Sequence, residues 1–475
     1  MVEKFLEFES KEKMFDKKIE NVNFWGFIRW NIYLEILDKS GFAKYDNSPW
    51  KSEPLKKMEL FLNCTIRNPL LRLQKREVLF IQTHRKEKGD DGVYECIFTG
   101  EVAKEFDEKC YVANLPFRGK EEKVLDEKNT IYLDYILCLG KICGKINGII
   151  NKRYASDCIF FAKELNEKIK SNLKVDLGEE YLIKYVKNNF FYYRSIKKML
   201  RHLLMRVSPS VIVEVCSYGG VQLAINEIAK ELDIKTIELQ HGIINEKHIA
   251  YNYPNKKSYP FFPDELFLFS EYWKSTCRFP IEQNSLVVTG FPYIEKNIRK
   301  YEGGKKEGLN IIILSQPVDV NLFSSIILDC VERLNNLGVT YHMIYKLHPR
   351  EYHVKSNTYD MIESYPQVTM IRDDKVNLYY YLASSDIQIG MYSTALYEGL
   401  AFGLATYLLN TDLTLIFMKD LYEKGYVEIF RNGKELVDLL LNEQVQKKVD
   451  RDIFFEKGAK DRIVSEIKDR VRERC

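Results

Sequence analysis

Residues 210–242 read SVIVEVCSYGGVQLAINEIAKELDIKTIELQHG. SVIVEV (210–215) is a short apolar run rich in β-branched residues, the pattern of a strand buried on both faces. CSYGG then turns the chain into VQLAINEIAKEL, whose apolar residues recur at helical spacing, and KTIELQ (235–240) is again strand-like. A strand, a helix and a strand in close succession predict parallel pairing through a right-handed crossover. Gly242 after His241 allows a tight turn away from the strand end.

The same grammar extends in both directions. Upstream, EVLFIQ (77–82) is a buried strand ending in Thr83-His84-Arg85, and downstream ELFLFS and SLVVTG supply two more strands. GFPYIEKNIRKYEGGKKEG (290–308) carries glycine, proline and a charge cluster, which suits an interdomain linker. The pattern then restarts: NIIILSQ as strand, a helix through FSSIILDCVERLNNLG, the strands TYHMIYK and VTMIR, a helix through Tyr379, the strand DIQIG, the helix STALYEGLAFG and the strand ATYLLN. Two doubly wound, Rossmann-like α/β domains facing across a cleft are expected, with ligands at the carboxyl ends of the strands. The boundaries are set at 1–75 for a helical N-terminal extension, 76–295 for the first domain, 296–307 for the linker, 308–445 for the second domain and 446–475 for a charged helix packing back on the first. FWGFIRWNIYLEIL (24–37) has two readings: a helix packed on the first domain, or an interfacial helix with its tryptophans at a lipid boundary.

Composition narrows the function classes. A chain of 475 residues exceeds one ordinary core. At 45% hydrophobic and 29% charged it is globular rather than disordered. Lys+Arg 71 against Asp+Glu 68 gives +3, too balanced for a protein that tracks nucleic-acid phosphates, so no nucleic-acid partner is expected. The ten cysteines show no CxxC pair, which argues for a reducing compartment and against a zinc site. MVEKFLEFESKEKMFDKK lacks the apolar centre of a secretory signal, and no run approaches the ~18 apolar residues of a spanning helix. The expected location is the cytoplasm, with peripheral association at the cytoplasmic face of the inner membrane or with a polysaccharide assembly complex kept open.

Four constellations could carry chemistry. DIQIG runs through Met391 and Tyr392 into Ser393-Thr394 at a helix start, where free N–H groups, the helix dipole and two hydroxyls suit a phosphate, and Glu398 suits a ribose diol. Ordinary N-capping explains Ser393 equally well. Lys346-Leu347-His348-Pro349-Arg350 ends the strand TYHMIYK, placing two cations and an imidazole where a nucleotide phosphate needs neutralising, and Gln316 ends the neighbouring strand. His241 leaves a buried strand, either as a proton acceptor for a hydroxyl or, as imidazolium, as a partner for a donor carboxylate; a histidine satisfied by carbonyls near a turn is the plainer reading. His84 and Arg85, with Asp90-Asp91-Gly92 beyond them and Tyr218 in CSYGG, form an acceptor-side set in which Asp90 or Asp91 is an alternative base, or simply part of a solvated turn. The basic helix SIKKMLRHLLMR (195–206) reads as a solvated face or a site for anionic groups.

ELQHG (238–242), GFP (290–292), KLHPRE (346–351) and YSTALYEGLAFG (392–403) together resemble motifs of the bacterial capsule glycosyltransferases of GT-B fold, the polysialyltransferases and capsular Kdo transferases, over residues 205–440. They are also similar to the CDP-glycerol glycerophosphotransferases of teichoic acid synthesis. The resemblance implies a metal-independent transferase without a cofactor, moving a sugar from a CMP- or CDP-linked donor to a glycan or lipid-linked glycan of the capsule or lipopolysaccharide. It places the nucleotide phosphate at His348, Ser393 and Thr394. Asp90-Asp91-Gly92 matches the acidic motif holding the polysialyltransferase base, but lies further from the HP motif than in that family. The glycerophosphotransferases imply His241 as base, although Ile243-Ile244 stands where they carry Thr-Pro. The alternatives are CDP-polyol phosphate transfer, nucleotide-sugar epimerisation and a non-catalytic assembly scaffold.

Overall fold

Fifteen strands make up the sheets among the described residues, and most are short apolar runs closed by a polar residue. The computed structural model describes every residue except 42–61, 64, 72, 84, 89–91, 116–127, 256–257, 302–305, 443–448 and 475. His84, Asp90 and Asp91 therefore lie outside the described residues.

The first compact unit holds Met1–Leu268, Lys274–Val288 and Lys460–Cys475. Its strands are β1 (Val78–Ile81), β2 (Lys86–Lys88), β3 (Tyr94–Cys96), β4 (Cys110–Asn114), β5 (Thr130–Tyr132), β6 (Val211–Val215), β7 (Lys235–Leu239), β8 (Glu265–Leu268) and β9 (Leu286–Val288). Seven form one parallel sheet in the order β5-β4-β1-β6-β7-β8-β9, while β2 and β3 pair antiparallel beside it. Strand order reverses between β1 and β6, the crevice position of a doubly wound sheet. All five residues of β6 are buried, as expected of a strand covered on both faces. Helices Asp134–Ile150, Lys152–Leu173 and Glu179–Val207 intervene between β5 and β6.

The helix Trp25–Lys39 is packed into this unit, which overturns the lipid-boundary reading of 24–37. Trp25 is fully buried and donates to Glu9 at 2.7 Å. Arg29 meets both oxygens of Glu9 at 2.8 and 2.7 Å and donates to the carbonyls of Ile249 and Asn252, so the charge in this apolar helix is paired inside the protein. The basic helix face near Lys197 is likewise engaged: Lys197 pairs with Glu227 and Glu231, and Arg201 with Glu231.

The second unit, Phe269–Trp273 and Thr289–Ala459, holds β10 (Leu309–Leu314), β11 (Tyr341–Lys346), β12 (Val368–Ile371), β13 (Ile387–Gly390), β14 (Ala405–Leu409) and β15 (Glu428–Phe430). All pair in parallel in the order β12-β11-β10-β13-β14-β15. That is the 3-2-1-4-5-6 order of a dinucleotide-type sheet, with β10 at the reversal. Its core joins the apolar faces of β10, β11 and β13 to helices Val320–Asn336 and Gly433–Leu441. The long segment of the second unit starts at Thr289, ahead of the stretch read as linker, and Pro292–Lys300 within it is helical: Pro292 sits in its first turn and Ile294 is buried. Gly290 has φ +90°, and a Cβ there would come within 2.3 Å of the Glu456 carbonyl. The helix Ala459–Arg474 runs beside β8, where Arg470 meets Glu265 at 2.9 Å.

Candidate functional site

Within the first unit, the carboxyl ends of β6 and β7 converge on a buried polar cluster. Glu214 and Glu238 are directly opposed in the register of the two strands, and both are fully buried. Two carboxylates side by side in an apolar sheet cannot both ionise cheaply, and burial with the neighbouring Glu238 holds the Glu214 carboxyl well above its ordinary range. Asn226 donates to Glu214 at 2.7 Å. Glu238 accepts the backbone N–H of Ser217 at 3.2 Å and the hydroxyl of Tyr251.

Those contacts dictate the state of His241. Its Nδ1 lies 3.2 Å from Tyr251 Oη and 3.6 Å from Glu238 Oε1, and its Nε2 lies 3.1 Å from Tyr218 Oη. Tyr251 has one proton and gives it to Glu238, so Nδ1 must carry a hydrogen of its own. Burial works against charge here, but Cys216 and Glu238 overcome it and push the imidazole pKa up to about 9. A charged His241 donates from both nitrogens, so the Tyr218 hydroxyl oxygen accepts from Nε2 while Cys216 also engages that hydroxyl. Arg85 donates to the His241 carbonyl at 2.9 Å, which ties the end of β1 to the same cluster.

His248 closes the cluster from above. Its ring stacks on Trp30 with centroids 5.2 Å apart, and Trp30 also packs on Tyr218. Burial and the charge on His241 hold the His248 pKa down at about 3, so it is neutral. Its Nδ1 is buried without a hydrogen-bond partner among the described residues.

In the second unit, β11 and β13 flank β10, so the loops after all three strands open on one sheet edge. Two strand spacings separate the His348 and Ser393 loops, about 10 Å at ~4.8 Å per strand. His348 caps the short turn Pro349–Glu351: its Nδ1 accepts the Arg350 N–H at 3.2 Å, and Glu351 accepts the His348 N–H at 3.0 Å. A histidine accepting at Nδ1 in its neutral form carries its hydrogen on Nε2. Burial, with the Arg350 and Lys346 charges nearby, lowers the His348 pKa and favours that neutral form. Nε2–H has no partner among the described residues. Ser393 is the N-cap of helix Thr394–Ala401, its hydroxyl accepting the Ala395 N–H at 3.3 Å.

The remaining second-unit residues divide. Lys346 is buried and satisfied inside the unit, donating to Asp373 O at 2.9 Å, Asp374 at 3.2 Å and Tyr352. The geometry therefore makes Lys346 an anchor of the β11 loop, where charge neutralisation of a phosphate was expected. Arg350 and Pro349 are exposed, Gln316 is partly exposed on the loop after β10, and Thr394 and Glu398 are partly exposed in the helix Thr394–Ala401. In the first unit, Arg85 and Tyr218 join His241. The sequence alone assigns no role to Glu214, Glu238, His248 or Tyr251, and marks Trp30 only as a packing or lipid-boundary residue. The available signal was a glutamate in the middle of each of two apolar strands, SVIVEV and KTIELQ. Among the described residues no group of three or more His, Cys, Asp or Glu side chains is placed to hold a metal ion.

No protein-family model matches the chain, and no curated protein matches it. Solved structures do. A crystal structure titled as a putative UDP-N-acetylglucosamine 2-epimerase from Listeria monocytogenes is 12% identical with a TM-score of 0.51, covering 84% of this chain and 97% of that one. MurG from Acinetobacter baumannii is 14% identical with a TM-score of 0.49, over 83% of this chain and 99% of that one. The wall teichoic acid polymerase TagF is 11% identical with a TM-score of 0.45, over 88% and 97%. Likeness at this level speaks for the fold, and together with the two parallel sheets it makes the fold GT-B: two Rossmann-like α/β units in one chain.

Proposed function

We propose that this protein is a glycosyltransferase that takes a sugar from a nucleotide donor and passes it to a hydroxyl of a bacterial surface glycan. The observation that carries the reading is the loop set at the β10 reversal. A neutral imidazole is locked by its own cap with Nε2–H unpartnered, and an N-capped helix start lies across the same edge. Both are donors suited to the oxygens of a leaving phosphate. The motif resemblance favours a cytidine nucleotide and a capsule or lipopolysaccharide product.

His241 then has a role other than resting base. An imidazolium held between two tyrosines suits an anionic part of a substrate, such as the carboxylate of an acidic sugar. Removal of the acceptor proton falls to Asp90 or Asp91. Epimerisation of a nucleotide sugar is the second reading, favoured by the likeness to the Listeria UDP-N-acetylglucosamine 2-epimerase structure; it requires turnover without an acceptor.

The test is a thermal-shift series with CMP, CDP, UDP and GDP, since a ligand bound only by the folded chain raises its apparent stability. CMP or CDP should stabilise. His348→Ala should remove both that response and the turn's cap, a cap loss of about 1 kcal/mol. His348→Asn should restore the cap without restoring the response, because asparagine has no group in the place of Nε2–H. Response to UDP alone would overturn the cytidine assignment, and an unaltered response in His348→Asn would overturn the role of the imidazole.

A further inference from the structure

The helix Asp134–Ile150 meets the helix Glu179–Val207 through glycine. Gly140, Gly144 and Gly148 form one stripe, and a Cβ at Gly144 would lie 3.0 Å from the Tyr192 backbone, so the two helices touch backbone to backbone. The opposite stripe is apolar and uncovered. Ile142, Ile146, Ile149 and Ile150 follow the i, i+4, i+7, i+8 spacing of one helix face and are 42%, 50%, 76% and 73% exposed. A contiguous row of exposed isoleucines is costly in water and calls for a partner.

The charge around this row identifies the partner. Lys141 and Lys145 border it and are exposed, and Lys152 and Arg153 follow at the start of the next helix, also exposed. The helix has one carboxylate, Asp134, at its far end. In a twofold pair of this chain the patch would face itself and bring lysine against lysine, which disfavours a second copy. An apolar row beside cations, on a helix lying flat, matches a bilayer with anionic headgroups. No helix among the described residues is long and apolar enough to cross a membrane, so contact would be in the plane of the surface.

We propose that the outer face of Asp134–Ile150 is a membrane-docking surface that seats its isoleucines in an anionic leaflet, with Lys141 and Lys145 at the headgroups. This goes beyond the transferase reading and does not rest on it. Docking here would hold the protein against a lipid-linked substrate.

Flotation of the full chain with phosphatidylglycerol/phosphatidylcholine vesicles, beside phosphatidylcholine alone, tests it. The protein should float with the anionic vesicles and be released by salt. Ile146→Ser/Ile149→Ser/Ile150→Ser and Lys141→Glu/Lys145→Glu should each weaken binding by about tenfold or more, on surfaces where apolar burial and charge both contribute. The second variant alters only exposed lysines, so it remains decisive if the first folds poorly. Equal binding to both vesicle types, no flotation, or wild-type binding by the lysine variant would overturn the proposal. So would a dimer in light scattering that the isoleucine variant dissociates. The readout uses no nucleotide: flotation can fail while the thermal-shift response holds, and the reverse.

Discussion

Two histidines with opposite protonation preferences govern the first unit's cluster. His241 is pushed up to about 9 and His248 down to about 3, each partly through its neighbours. The signs run in opposite directions from an unfolded value near 6.5. His241 binds its proton more tightly when folded, so its contribution is complete below pH ~6.5 and is lost as pH rises through about 9. His248 resists protonation when folded, so its contribution is present above ~6.5 and is lost as pH falls toward about 3. From these two groups alone stability is greatest near pH 6.5, and the alkaline fall is worth about 3 kcal/mol. Denaturant unfolding across pH measures this, and His241→Gln should flatten the alkaline side alone. An unchanged alkaline slope in that variant would mean the imidazole is not charged in the folded protein. This part of the site was half legible. His241 stood at a strand end and could be named, but its partners come from three separate segments, around residues 85, 218 and 251. Spacing along the chain does not reveal such convergence.

At the scale of elements, legibility followed burial. The strands β6, β7, β10, β11, β13 and β14 were readable because a parallel strand covered on both faces is a continuous apolar run. β4, β5 and β15 were missed: CYVAN, TIY and EIF are short and mixed in character, and their places at or near sheet edges leave residues part-exposed. Helices 134–207 were passed over except for one basic face, since glycines and lysines in ICGKINGII obscure a helix whose packing depends on those glycines. The helix Trp25–Lys39 shows how a polar residue in an apolar helix can be read. Arg29 is 2% exposed, stacks over Tyr253 with its guanidinium 4.4 Å from the ring centroid, and ties the N-terminal helices to the carbonyls on either side of Tyr251. Arg29→Met should cost about 3–5 kcal/mol by stranding Glu9, and Arg29→Met/Glu9→Leu should recover much of it. Chemical denaturation of the three proteins decides. A single variant as stable as wild type would show that the pair does not hold the helix. Because the same carbonyls brace the 248–252 loop, the single variant should also shift the His241 titration.

The whole molecule is two parallel sheets of the same winding, and their carboxyl edges are chemically different. The first presents a charged imidazole among tyrosines and buried acids, while the second presents a neutral imidazole and a helix tip. The second edge carries the donors suited to a leaving nucleotide, and the first carries a cation suited to an anionic group. Hydrogen exchange read by mass spectrometry can locate the grip, because bound ligand suppresses local opening where it touches. With CMP or CDP alone, protection should rise in the loops after β10, β11 and β13, at residues 315–319, 347–352 and 391–396. Those segments are short, and 347–352 and 391–396 carry an imidazole and a hydroxyl cap, so opening there needs few broken bonds, and even modest affinity should register. The loops after β6 and β7, at 216–219 and 241–249, should not change with bare nucleotide. Protection by bare nucleotide confined to 216–249 would reverse the assignment and put the leaving group at His241. In that case the imidazolium would be the phosphate's partner, and the capped His348 a structural residue of its turn.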